Sequence, residues 1–314
     1  METMKKEKNA EVVLLLAFAA VYVLWGSTYL ALHFVLESMP PFLMAAFRFM
    51  AAGSIMLLFA KLNKHSWPAK AEIKKSALVG FLLLVLGNGG VVWAQQYISS
   101  GITALLITIE PVWVVLLLWL RSTENKPTPV VWFGIFLGVA GMFVLIGPSS
   151  FGSIEQLNPL AVIALLLSSI SWAVGSVYAL KAKLPSSPAM NTGFQMLAAG
   201  ICLFIIGTSR AEWTSFELSE ITNRSILGFL YLIIFGSLIG FTSYSYIVKN
   251  ANPTNVSTYA YVNPVIAVFL GWWIGNERVG IQTLLAAALL VSAVVLIIMK
   301  PDIKFNFLYK KIKT

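Results

Sequence analysis

Ten apolar windows, basic residues gathered on one set of loops, and an internal repeat predict an all-α integral membrane protein. Its architecture is expected to be ten transmembrane helices as two inverted five-helix repeats. Apolar residues make up 58% of the 314-residue chain and charged residues only 11%, against about 25% charged in a soluble domain. A water-soluble fold of this length could not hide so much apolar surface. Windows of the ~20 apolar residues that a bilayer requires fall at 12–35, 41–60, 76–98, 101–120, 129–147, 159–180, 189–208, 225–247, 254–275 and 280–299. The first window follows a basic N-terminus resembling a signal peptide. Its apolar run continues past Trp25 to about Leu36, so it is read as an uncleaved span.

The basic residues test this topology. Eighteen Lys and Arg lie on one set of flanks, beginning with Lys5, Lys6 and Lys8 and ending with Lys313. The opposite set holds only Arg210, Arg224 and Arg278, and Arg48 lies inside a span. Basic loops stay inside, so both termini are expected in the cytoplasm and the span number must be even. The net charge of +9 then reports orientation, and nucleic acid is not an expected partner. The basic loop 61–75 suits anionic lipid at the bilayer surface. A single cysteine, Cys202, excludes an intramolecular disulfide and a cysteine metal cluster. With no phosphate-binding loop and no dinucleotide fingerprint, no metal or other cofactor is expected.

The two halves repeat. GSTY (26–29) matches GSVY (175–178), each near a tryptophan, Trp25 or Trp172. AFRFMAAG (46–53) aligns with GFQMLAAG (193–200) at an offset of 147, and IEPV (109–112) with VNPV (262–265) at 153. Glu124 and Pro148 fall on Glu277 and Pro301 at that second offset. Repeats of five spans, an odd number, must lie in the membrane with opposite orientation, a design that places a substrate site between the halves. The expected units are residues 12–147 and 158–300, followed by a basic cytoplasmic tail at 301–314.

These features resemble a known family. WGSTY (25–29), a proline midway along the fourth and ninth spans, and LGWWIGNE (270–277) closing the ninth are similar to the EamA-type branch of the drug/metabolite transporter superfamily. The resemblance covers about residues 12–300 and implies a bacterial inner-membrane carrier, often an exporter of amino acids or other small metabolites. One departure is local. Where the family ends its fourth span in glycine-glutamate, this chain reads RSTENKP (121–127), keeping Glu124 as a loop carboxylate to cap the fifth span.

Two formal charges lie deep in the apolar windows, Arg48 and Glu110. At 1.5 Å per residue they sit roughly 10 and 14 Å below the outer surface, and charges at such depth are functional candidates. They are expected to face the cavity between repeats and to pair, or to exchange partners with substrate or a proton. An amino acid would suit them, its carboxylate taken by Arg48 and its ammonium by Glu110. Their repeat partners, Gln195 and Asn263, are neutral. Trp25, Tyr29, Trp172 and Tyr178 could line the cavity and take an ammonium by cation–π contact. Asn88 and Gln95 complete the polar set. Pro111, Pro264 and Gly89 are read as helix irregularities that serve gating.

The sequence thus predicts a secondary carrier of small metabolites working by alternating access, with possible proton coupling and a monomer sufficient for the task. A drug or lipophilic-compound exporter is the rival within transport. A membrane-embedded enzyme acting on lipid-linked substrates is the rival outside it, but it predicts catalytic carboxylates or histidines at the membrane surface, and the loops show no such catalytic set.

Overall fold

The computed structural model describes residues 2–121, 127–146, 157–251 and 259–299. Among them the backbone is helical, with no strand. Eight helical segments are long and apolar enough to cross a membrane, and two shorter apolar helices, Val262–Trp273 and Ile281–Ile297, follow them. The expected ten spans therefore meet the length criterion in eight cases. Of the last two, the ninth is described only from Tyr259, as a helix of 15 residues to Trp273, and the tenth, Ile281–Met299, has 19. Glu124, Pro148, Pro301 and the tail 301–314 lie outside the described residues.

In chain order the helices are α1 (Glu2–Leu36), α2 (Pro41–Leu62) and α3, which runs Lys70–Gly80, Phe81–Asn88 and Gly89–Ala94. Then come α4 (Ser100–Ile107), α5 (Glu110–Arg121), α6 (Pro129–Ile146), α7 (Pro159–Ala179) and α8 (Pro188–Ser209). The last are α9, built of Asn223–Tyr231, Leu232–Ile239 and Gly240–Asn250, then α10 (Tyr259–Trp273) and α11 (Ile281–Met299). Prolines open α2, α7 and α8 at the first turn, where a missing N–H costs nothing. Asn158, Ser187 and Thr222 cap α7, α8 and α9 through their side chains.

Helices pack across the two halves reciprocally. α2 lies along α8, and α6 along α11. α1 packs on α9 and α10, while α7 packs on α3 and α5. α2 reaches the middle of α9 as α8 reaches the middle of α3. Glycines set the closest of these approaches. A Cβ on Gly53 would stand 2.8 Å from the Leu197 nitrogen and 2.9 Å from the Gly193 oxygen. A Cβ on Gly200 would stand 2.8 Å from the Met50 nitrogen and 3.0 Å from the Ala46 oxygen. Gly53 and Gly200 are repeat partners, as are Ala46 and Gly193, and Met50 and Leu197. The glycines that close the aligned AAG triplets therefore each seat the preceding turns of the opposite helix, in the small-residue manner of membrane helices.

The central parts of α3 and α9, Phe81–Asn88 and Leu232–Ile239, are both π-helical and eight residues long. Gly89 and Gly240 follow them. Wide turns leave carbonyls poorly paired, and the opposite half supplies donors. Ser171 Oγ donates to the Leu82 carbonyl at 2.8 Å and Ser168 Oγ to that of Leu86 at 3.2 Å. In the other half Trp25 Nε1 donates to the Gly236 carbonyl at 3.3 Å. Two carboxylates also cap helices at a distance in sequence. Glu212 accepts from the Phe42 and Leu43 nitrogens at the start of α2, and Glu277 from those of Ser100 and Gly101 at the start of α4.

Candidate functional site

The fourth apolar window is not one helix. α4 stops at Ile107, Thr108 and Ile109 form a turn, and α5 restarts at Glu110. Pro111 has no N–H to continue the ladder. The turn closes tightly instead, with the Val112 nitrogen donating to the Ile109 carbonyl at 3.0 Å. Thr108 Oγ1 donates to the Ala104 carbonyl at 2.9 Å, which also accepts from the Thr108 nitrogen at 3.2 Å. Glu110 thus stands in the first turn of a half-helix, where aligned peptide dipoles favour a carboxylate. Pro264 differs. It lies inside continuous α10, so the two repeat-related prolines mark a break in one half and an unbroken helix in the other.

Glu110 opens onto a cavity of about 120 Å³. Its walls come from both halves: α1, α2, α3, α4 and α5 on one side, α7, α9 and α10 on the other. Among the charged and amide groups expected at the site, Glu110, Arg48, Asn88 and Asn263 all face this space. Trp25, Tyr29 and Trp172 supply aromatic wall. Ser168 and Ser169 of α7 add hydroxyls, the second accepting from Trp113 Nε1 at 2.9 Å.

Arg48 and Glu110 share the cavity without pairing. No nitrogen–oxygen approach within 4 Å joins them; the ion pairs among the described residues are Lys183–Glu72 and Arg224–Glu37. Arg48, 5% exposed, donates its Nε to Ser237 Oγ at 3.0 Å and stacks over Phe49, 5.0 Å from the ring centre. It is held by the π-helical part of α9. The Glu110 carboxylate has no hydrogen-bond or ion-pair partner among the described residues. Asn88 and Asn263 each carry a buried side-chain oxygen with no hydrogen-bond partner.

Other expected residues lie elsewhere. Gln95 is buried and donates Nε2 to the Tyr29 carbonyl at 3.0 Å, fastening the end of α3 to α1. Gln195 is buried where α8 meets α3, its backbone against Gly80. Tyr178 ends α7 outside the cavity lining, and its carbonyl accepts from the Lys181 and Ala182 nitrogens. Gly89 packs under Leu203.

Tyr259 and Phe241 are wall residues that the sequence reading passed over. Tyr259 stands four residues before Asn263, hence on the same helical face, which was the available signal. It meets Trp25 edge-on, with ring centres 5.4 Å apart. Trp25 also contacts Phe241 and Tyr244, with ring centres 5.3 and 5.1 Å away.

Apolar helices of membrane-spanning length, packed reciprocally around a buried polar cavity, define a polytopic membrane protein of the solute-carrier kind. The sequence model of the EamA-like transporter family matches residues 12–147 and again 159–299, and the chain belongs to that family. It is 39% identical over 285 residues to the "Uncharacterized inner membrane transporter YedA" of Escherichia coli (strain K12), covering 90% of this chain and 89% of that one. A "WAT1-related protein", chloroplastic, of Arabidopsis thaliana is 28% identical over 88% of this chain and 67% of its own. The "Uncharacterized transporter YvbV" of Bacillus subtilis (strain 168) is 24% identical over 94% and 93%. One crystal structure of a protein superposes with a TM-score of 0.64, covering 91% of this chain and 97% of its own at 20% identity. That likeness speaks for the fold alone.

Proposed function

We propose that this chain is a secondary carrier that exports small metabolites, amino acids among them, across a bacterial inner membrane by alternating access. The reading takes α4 with α5 as one interrupted span and α10 and α11 as the ninth and tenth. That gives two inverted five-helix repeats, residues 12–147 and 158–300, with both termini and the basic tail in the cytoplasm. The single observation that carries the reading is the interrupted fourth span, which presents the unpartnered Glu110 carboxylate to a cavity walled by both halves. Discontinuous helices at the interface of repeats are where carriers of this design bind solute. A lone carboxylate there can take a solute ammonium or a proton, and proton exchange is the coupling we assign to it. Arg48, Asn88, Asn263, Trp25, Tyr29 and Trp172 complete the pathway, and a monomer suffices.

The test is counterflow in proteoliposomes with a panel of labelled amino acids and nucleosides, with and without a pH gradient. Exchange of at least one solute, lost in Glu110→Gln at equal protein abundance, is the expected result. No exchange of any solute would remove the carrier reading, and full activity in Glu110→Gln would remove the role of the carboxylate. The aromatic wall around Trp25 favours a second reading, efflux of lipophilic compounds. It predicts exchange of such compounds that does not depend on Glu110.

A further inference from the structure

The cavity holds three unspent acceptors: the Glu110 carboxylate and the side-chain oxygens of Asn88 and Asn263. Asn263 is 8% exposed, and its oxygen, like that of Asn88, is buried with no hydrogen-bond partner. All three residues line one space. A buried acceptor left without a donor is destabilising, so such groups in a native protein call for a partner that arrives from outside. One charged and two neutral acceptors match a primary ammonium group, which brings one positive charge and three N–H donors. The walls beside them are aromatic and aliphatic. Trp25, Trp172 and Tyr259 present rings, suited to an ammonium's charge, while Leu84, Val91 and Ile107 offer apolar surface for a hydrocarbon body.

Arg48 is the competing anchor, since a guanidinium could take an anionic head first. One of its five N–H groups, at Nε, is committed to Ser237, whereas Glu110 is committed to nothing among the described residues. From this we infer that the cavity selects solutes through a protonated primary amine, bound by Glu110, Asn88 and Asn263, with an apolar or aromatic body against the rings. A carboxylate on the solute is optional and would lie toward Arg48. This rests on the carrier reading only for its consequence, transport; the binding site is tested apart from it.

The probes are phenethylamine, 2-phenylethanol, 3-phenylpropionate and trimethyl(2-phenylethyl)ammonium, titrated calorimetrically into the full chain purified in detergent. They share a body and differ in charge and donors. Phenethylamine is expected to bind at least about tenfold more tightly than each of the others, because a site built for N–H donors rejects analogues lacking them. Glu110→Gln is expected to abolish that preference while leaving 2-phenylethanol unchanged. Equal binding of the trimethyl compound would overturn the donor argument, and equal or tighter binding of 3-phenylpropionate would make Arg48 the anchor. Absence of binding by all four would overturn the site. Titrations in NaCl and in KCl add a further arm, since displacement of phenethylamine by sodium alone would assign the three acceptors to a metal cation. If Glu110→Gln does not fold, the four-probe ranking in the unmodified chain decides alone. Amine-selective binding without counterflow would leave the site standing and remove the carrier reading. Counterflow without amine preference would do the reverse.

Discussion

The Glu277 carboxylate receives the Ser100 nitrogen at 2.7 Å and the Gly101 nitrogen at 3.0 Å, so a loop of one half caps the interrupted span of the other. Asn276 before it adopts a left-handed backbone, φ 54°, which turns the carboxylate back over α4. Gly271 leaves room for it, since a Cβ there would press on the carboxylate. The GNE triplet is thus a turn that delivers an acid to a helix N-terminus. Its repeat counterpart, Glu124, expected to cap the fifth span, lies outside the described residues. Glu277→Ala is expected to lower stability by about 1–2 kcal/mol, the worth of a good N-terminal cap. Glu277→Gln, keeping one acceptor oxygen, should lose about half of that. Glu72→Gln is the control: its pair with Lys183 spans 3.6 Å with the lysine 81% exposed, and surface pairs of that kind contribute about 0–1 kcal/mol. Thermal unfolding midpoints in detergent would rank the three, and a Glu277→Ala midpoint no lower than that of Glu72→Gln would refute the cap.

The α2–α8 contact predicts a second ranking. At Gly53 and Gly200 an added methyl group meets backbone atoms at 2.8 Å, and backbone cannot move aside as a side chain does. Gly53→Ala and Gly200→Ala should each cost about 1–3 kcal/mol, the range for overpacking. At Gly138 the nearest atoms are side-chain carbons of Val112 and Ala293, 3.5 and 3.6 Å away. Gly138→Ala should be neutral or mildly stabilising, since Ala is the better helix former. Circular dichroism melts of the three variants check the order, and a Gly138→Ala loss equal to that of Gly53→Ala would count against it.

Which parts of this were legible in sequence follows from how residues are constrained. Close helix approach admits only small side chains, so the α2–α8 contact wrote itself into both AAG triplets and made the repeat visible. Pro111 announced the break because a missing N–H is a property of the residue. Faces were not legible in the same way. Gln95 and Gln195 sit in spans packed by protein on several sides, where apolar residues surround the helix and periodicity cannot say which direction is the cavity. Both amides went to structural packing, whereas Asn88, six residues before the end of α3, did reach the cavity. The π-helical parts of α3 and α9 left no residue signature either, since a wider turn is a matter of which carbonyl is chosen. The caps by Glu212 and Glu277 join residues some 170 positions apart, beyond the reach of any local pattern.

Arg48 and Ser237 supply a third prediction. The hydroxyl is the acceptor for Nε of an arginine that is almost fully enclosed. Ser237→Ala leaves that donor unpaired and should cost about 1–3 kcal/mol, more than the usual worth of a hydrogen bond, because the group stays buried. Ser209→Ala offers the contrast, for its hydroxyl is exposed and bonds only its own helix at Ile206. A Ser237→Ala midpoint matching that of Ser209→Ala would mean that water or another group replaces the acceptor. Arg48→Lys should not restore the contact, since an ammonium lacks the fixed fork that places Nε beside Ser237.

The two prolines give the last prediction, and it opposes their apparent equivalence in sequence. Pro111 is the second residue of α5, where the first N–H groups have no intrahelical acceptor in any case. Pro111→Ala should therefore change stability little. Pro264 is the sixth residue of α10 and lies inside the helix, so its ring both removes a bond to the Ala260 carbonyl and crowds it. Pro264→Ala restores that bond and should stabilise, by up to about 3 kcal/mol where the helix can straighten. Close packing limits the gain, because the Asn263 carbonyl and Ile266 already stand against Gly26 of α1. Thermal midpoints of the single and double variants decide the matter. A rise for Pro264→Ala with none for Pro111→Ala is expected, and equal shifts would show that the break before Glu110 is imposed by the proline alone rather than by the turn at Thr108 and Ile109.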